Sequence, residues 1–178
     1  MARVPLLDEI TNPELAALAA KLRAGRRGEL INVYRLLLHS PPLAESWFEY
    51  SNAVRWKTEL DGRLRELVIV RIALIQQSEY IYKQHVPALT TPEGITEADC
   101  AALSHWRLAQ NFSERERAAF AYADTMTRDV EVPDAVYDEV ARHFNERQIV
   151  ELTVLIGAYN MNTRVLAALR IDPQAAST

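Results

Sequence analysis

Two residues in the middle of the chain are of types that move protons, and their spacing allows them to meet. Glu66 stands in Arg65-Glu66-Leu67-Val68-Ile69-Val70-Arg71-Ile72-Ala73, an apolar run in which Glu66, Val70 and Ala73 share one stripe of a helix. A carboxylate on that stripe faces protein rather than water. His85 follows Ile81 by four residues and precedes Leu89 by four, so it too shares an apolar helical face. Burial raises a carboxyl's pKa and a nearby imidazolium lowers it again; either way the pair can hold and pass a proton near neutral pH. General acid–base catalysis requires that ability. The residue types alone leave a plainer alternative open: a core histidine satisfied by a backbone carbonyl, and a glutamate that complements the positive end of its helix.

The elements that must position these residues are helices. Asn12-Pro13-Glu14 and Ser40-Pro41 place a capping residue before a proline at the first helical position. Thr96 with Asp99, Ser113 with Glu116, and Asn145 with Gln148 have capping-box spacing. Apolar residues recur at three and four between these points, which predicts helices near 13–24, 28–39, 41–59, 63–76, 78–89, 97–108, 113–128, 134–144 and 146–169. Only Val130-Glu131-Val132 reads as extended, too short to found a sheet. The expected fold class is all-α with antiparallel helix packing, in one domain over 1–178 with its core about 28–170. Glu66-Leu67 and Glu151-Leu152 open similar apolar helices, an echo that chance or duplication explains equally well.

A short connection near Gln76–Gln77 folds the two site helices back on each other. At about 1.5 Å rise per residue, Glu66 lies roughly 15 Å and His85 roughly 11 Å from that turn, so the two fall at one level.

Composition narrows the classes of function. Lys and Arg number 20 against 24 Asp and Glu, a formal net charge of −4, which argues against a nucleic-acid partner. The dense basic stretch Lys21, Arg23, Arg26 and Arg27 has no interleaved aromatics and reads as a solvated helix end. The single cysteine, Cys100, excludes an internal disulfide framework and suits a cytoplasmic setting. The N-terminus lacks a signal-peptide apolar core, and the longest near-apolar stretch, Leu152 to Asn162, falls short of the about 20 residues that span a bilayer. His39, His105 and His143 lack ligand-like spacing, so no metal is expected. Five glycines form no phosphate loop, so no cofactor is expected either.

Further candidates surround the pair. Tyr80 and Tyr82 can donate to a developing oxyanion, or serve as core tyrosines with satisfied hydroxyls. Thr153, Gly157, Asn160 and Arg164 recur at four, three and four along the last helix. That stripe faces a pocket, a partner or water, and Gly157, which costs about 1 kcal/mol of helix propensity against alanine, suggests close approach. Asn160 and Arg164 are candidate binders of a substrate carboxylate, with a structural ion pair of Arg164 equally open. Trp47, Phe48 and Tyr50 make an aromatic cluster for the core or a subunit interface.

Glu66 with His85 nineteen residues later, Gln84-His85-Val86-Pro87, Ser113-Glu114-Arg115-Glu116 through Ala123-Asp124, and Leu155-Ile156-Gly157-Ala158-Tyr159-Asn160-Met161 to Arg164 together resemble the carboxymuconolactone decarboxylase and alkylhydroperoxidase D-like (AhpD-like) family. In AhpD-like members a Cys-x-x-Cys pair lies between the Glu and the His; here those positions hold Ser78 and Ile81. The resemblance therefore implies the branch without a peroxidase thiol pair. It implies a cofactor-independent lyase or isomerase with Glu66 and His85 catalytic, acting on a small carboxylated or lactone substrate held by Ser78, Tyr80, Tyr82, Asn160 and Arg164. It also implies a homo-oligomer, a trimer or hexamer. Pro87, placed inside a helix reaching residue 89, is expected to leave the Lys83 carbonyl free beside His85.

Overall fold

Asp61 opens the helix around which the others are assembled. Its carboxylate accepts the Leu64 N–H at 2.8 Å, and every residue from Leu64 to Ala73 in the helix that follows, α4 (Gly62–Ile75), is buried. A helix covered on all sides needs neighbours on all sides. The computed structural model describes residues 2–26 and 28–173, and among them it has nine α-helices and no β-strand. Arg27 and the tail residues 174–178 lie outside the described residues.

Before α4 come α1 (Ala16–Ala24), α2 (Asn32–Leu37) and α3 (Pro41–Trp56); after it come α5 (Glu79–His85), α6 (Glu97–Ala102), α7 (Glu114–Arg128), α8 (Asp134–His143) and α9 (Glu146–Leu169). All three capping boxes form, at α6, α7 and α9, each reciprocal between side chain and backbone. Helices α5, α7 and α9 pack directly on α4.

Buried charge in this packing is paired. Arg71 on α4 grips both carboxylate oxygens of Asp124 on α7, at 2.6 and 2.9 Å, and its remaining nitrogen donates to the Leu103 carbonyl at 2.9 Å. The Trp106 indole N–H adds a contact to the same carboxylate at 3.3 Å.

Several expectations are corrected. The helix expected over 28–39 forms only at Asn32–Leu37, and the one over 97–108 passes into a 3-10 turn at Leu103–His105. Val130 is a bend residue with φ of 69°, not extended chain. Helix α5 stops at His85 because Val86, preceding Pro87, takes extended dihedrals (φ −99°, ψ 127°), as a residue before proline prefers. Pro87 thus lies beyond the helix and frees no carbonyl within it.

The apolar interior divides into two clusters. The larger is built on α4, α7 and α9; the smaller gathers Leu15, Ala19, Leu22, Leu30, Tyr34, Leu37, Leu38, Ala44 and Phe48 from the first three helices. Val33 packs against both, and a cavity opens where they meet.

Candidate active site

Glu66 and His85 are set by opposite ends of two helices joined by a tight turn. Gln77 takes the left-handed conformation (φ 53°), and the Ser78 N–H returns to the Ala73 carbonyl at 2.8 Å. Helix α5 therefore runs back along α4, bringing His85, its last residue, level with Glu66 near the start of α4. His85 Nδ1 lies 2.5 Å from Glu66 Oε2, with both residues buried. On the other side of the ring, His85 Nε2 lies 3.3 Å from the hydroxyl of Tyr159 on α9.

The second Glu66 oxygen receives Arg65 Nε at 3.2 Å and Arg55 Nη2 at 3.4 Å. Arg65 is shared with Glu93 at 3.1 Å. These partners fix the protonation states. Burial pushes the Glu66 carboxyl up, but the His85 hydrogen bond, the charge on His85 and the two guanidinium groups outweigh it and hold the pKa at about 2. His85 is pushed down by its burial, against which the Glu66 bond and charge act, while Arg55 and Arg65 push it further down. With two guanidinium groups already compensating Glu66, a third positive charge on the imidazole has little to favour it. At neutral pH the arrangement is a carboxylate accepting from Nδ1–H, with Nε2 left as a base that accepts from Tyr159. Burial pushes the Tyr159 hydroxyl up to about 12; Arg55, Arg26 and Arg65 favour its ionised form and Glu66 opposes it.

The cavity beside this triad has a volume of about 330 Å³. His85 and Tyr159 form part of its wall together with Tyr34, Trp47, Trp56, Tyr80, Arg26 and Arg55. Two guanidinium groups lie over the Trp56 ring, Arg55 at 4.4 Å and Arg65 at 4.7 Å from its centroid. Such a space is apolar enough to take a small organic molecule and carries a few convergent polar groups.

The other sequence candidates separate. Tyr80 lines the cavity, but its hydroxyl accepts the Val33 N–H at 3.1 Å, tying α5 to the first turn of α2. Ser78 caps α5, its hydroxyl 3.4 Å from the Ile81 N–H, and with Tyr82 it borders a shallower depression at the α4–α5 turn. Asn160 is buried and joins Gln76 at 2.6 Å and Thr127 at 3.2 Å. Arg164 is exposed and donates to the Asn160 carbonyl at 3.0 Å, and among the described residues it makes no ion pair. Thr153 bonds Tyr122 at 2.9 Å, and Gly157 is exposed with open space where a Cβ would stand, so the expected polar stripe of α9 does not line the cavity. Trp47 lines the cavity, Phe48 is buried in the smaller cluster and Tyr50 is exposed.

Tyr159, Arg55 and Arg26 were not singled out as site residues from sequence. Tyr159 adjoins Asn160, and neighbours on a helix differ by about 100° in direction, so reading the polar stripe selected the wrong face of α9. Arg26, expected on a solvated helix end, is half-buried and bonded to Tyr34 at 2.6 Å and Asn52 at 2.7 Å. Among the described residues no cluster of His, Cys, Asp and Glu is suited to a metal, and no helix is long and apolar enough to cross a membrane. Cys100 is fully buried, and burial pushes its thiol up.

Residues 41–125 match the carboxymuconolactone decarboxylase family. The uncharacterized protein YnjA of Escherichia coli K12 is 32% identical over 122 residues, 67% of this chain and 66% of that protein, so the chain spans just under two thirds of that relative's length. A protein of unknown function from Agrobacterium tumefaciens, connected with AhpD antioxidant defence, has 26% identity and a TM-score of 0.73, over 79% of this chain and 96% of its own. The debrominase Bmp8 in complex with 2,3,4-tribromopyrrole superposes with a TM-score of 0.81 over 99% of this chain and 95% of its own. At 19% identity that likeness is one of fold.

Proposed function

With residues 41–125 matching the carboxymuconolactone decarboxylase family, this protein is, we propose, a cofactor-independent acid–base enzyme, a lyase or isomerase acting on a small carboxylated or lactone substrate. The observation that carries the reading is the buried row Glu66–His85–Tyr159 at the cavity wall. Glu66 orients the imidazole and fixes its tautomer. In an isomerisation, Nε2, directly or through the Tyr159 hydroxyl, takes a proton from carbon next to a carbonyl, the electron pair moves into an enolate, and the proton returns at another carbon. In a decarboxylation, the C–C bond to the carboxyl group breaks, carbon dioxide leaves, and the enolate takes its proton from the same row, replaced from solvent. The guanidinium charge of Arg55 and the Tyr159 O–H favour the enolate in either case.

Thiol peroxidase chemistry has less support. It needs an accessible low-pKa thiolate and a resolving thiol, whereas Ser78 and Ile81 occupy the pair's positions and Cys100 is buried. A homo-oligomer remains part of the proposal, supported by the exposed apolar residues Val150, Val154 and Met161 beside the open Gly157 on α9. A monomeric mass by light scattering at micromolar protein overturns that part. The lone thiol suits a cytoplasmic setting.

The reaction is tested by turnover of lactones, muconate-like acids and β-keto acids selected by thermal shift. Glu66→Gln keeps the shape and deletes the ionisable group, so turnover should fall at least about a hundredfold while the fold persists. Undiminished turnover in that variant removes the dyad from the mechanism.

A further inference from the structure

Arg26 differs from the other guanidinium groups of the cavity region. Arg55 and Arg65 both reach Glu66, and Arg65 also reaches Glu93. Arg26 is half-buried in the cavity wall and has only neutral partners: the Gly25 carbonyl at 2.8 Å, Asn52 Oδ1 at 2.7 Å and the Tyr34 hydroxyl at 2.6 Å. Among the described residues no carboxylate lies within ion-pair distance of it; Glu29, on the rim, is exposed and does not pair with it. Drawing a cation out of water without a counter-ion is costly, and proteins ordinarily supply one.

The geometry of the group indicates what is missing. The guanidinium carbon lies over the rings of Tyr34 and Phe48, 5.2 and 4.9 Å from their centroids, and the N–H groups at its edge serve in-plane bonds. Its bonds to Gly25, Asn52 and Tyr34 use three of five N–H donors, leaving as many as the two oxygens of a carboxylate accept. The space in front is flanked by flat surfaces, Tyr34, Trp47 and Trp56. Aromatic walls favour a planar guest lying against them.

We propose that the cavity binds a small planar anion, an aromatic or conjugated carboxylate, whose charged group serves as the counter-ion of Arg26 and whose ring lies among Tyr34, Trp47 and Trp56. Arg26 is then the anchor that selects the charge of the substrate, the role expected from sequence for Asn160 and Arg164. Its field also reaches the Tyr159 hydroxyl, so one cation serves both anchoring and the proton-transfer end. This inference rests on the cavity being the substrate site, but not on which reaction follows.

The test compares benzoate with its neutral near-isostere benzamide by calorimetric titration of the full chain, of Arg26→Gln and of Glu66→Gln. The expected result is benzoate bound at least about tenfold more tightly than benzamide by the unaltered protein, equal and weak binding of both by Arg26→Gln, and a preserved preference in Glu66→Gln. Equal binding of the two probes by the unaltered protein, binding of neither, or a benzoate preference that survives Arg26→Gln overturns it. If Arg26→Gln does not fold, the Arg26 Nε–H resonance of the unaltered protein decides: it shifts with benzoate and not with benzamide, and the reverse overturns the proposal. Turnover of a neutral lactone that Glu66→Gln abolishes, together with absent benzoate binding, would sink the anchor and leave the acid–base reading standing.

Discussion

The hydroxyl of Tyr159 lies 3.3 Å from His85 Nε2, at the ring nitrogen opposite the one that faces Glu66. The imidazole is thereby held from both sides in one tautomer, a donor at Nε2 and an acceptor at Nδ1; the Tyr159 donor favours the neutral ring, whereas the Glu66 carboxylate favours its protonation. Removing the hydroxyl deletes the donor. In Tyr159→Phe the His85 pKa should rise from its lowered position toward the ordinary value near 6.5, as read from the imidazole Hε1 resonance across a pH titration. An unchanged or lower pKa would show that the contact does not bear on the base.

Acid should destabilise the fold in two overlapping steps. His85 has its pKa lowered by burial, so below about pH 6.5 the unfolded chain binds a proton that the folded one resists, and stability begins to fall. Glu66 is held at about 2 against 4.5, so its contribution is full above pH 4.5 and is lost as pH falls toward 2. For a carboxylate this buried the contribution is on the order of 3 kcal/mol. Melting temperatures between pH 7 and pH 3 should decline more gently in Glu66→Gln than in the unaltered protein; parallel declines would refute the assignment.

The Arg71–Asp124 pair makes a separate claim about stability. Asp124→Ala leaves a buried guanidinium without its bidentate partner and should cost about 3–5 kcal/mol in urea unfolding. A loss under about 1 kcal/mol would mean that the Leu103 carbonyl, already 2.9 Å from Arg71, and solvent suffice for the guanidinium.

Cys100 should be inert in the native protein. Its side chain is fully buried and its thiol is shifted away from the reactive thiolate, so an aromatic disulfide reagent should label it only on unfolding. Cys100→Ser should leave hydroperoxide consumption, measured with a dithiol reductant, at its background. Prompt native labelling, or a peroxidase rate that the substitution abolishes, contradicts this.

Much of the architecture was legible in the chain itself, because its signals are local. The capping boxes at Thr96, Ser113 and Asn145 form where their side-chain spacing puts them, since each needs only one turn of backbone. The apolar run after Asp61 becomes the buried α4, and the short turn at Gln77 leaves α5 no course but back along it, which is why the approach of Glu66 to His85 follows from length and rise alone. Tertiary structure decided what surrounds that pair. Whether a polar residue of α9 faces the cavity or a neighbouring helix depends on the rotation of α9 against α4 and α7, which packing sets. That rotation turned Tyr159 toward His85, buried Asn160 against Gln76 and Thr127, and left Arg164 in solvent. Arg26 and Arg55 come from helices and turns remote in sequence, and they converge because the small cluster of α1, α2 and α3 docks against the larger one. Helix signals reach a few residues along the chain, whereas the charge of a cavity is a sum over segments that only their mutual packing brings together.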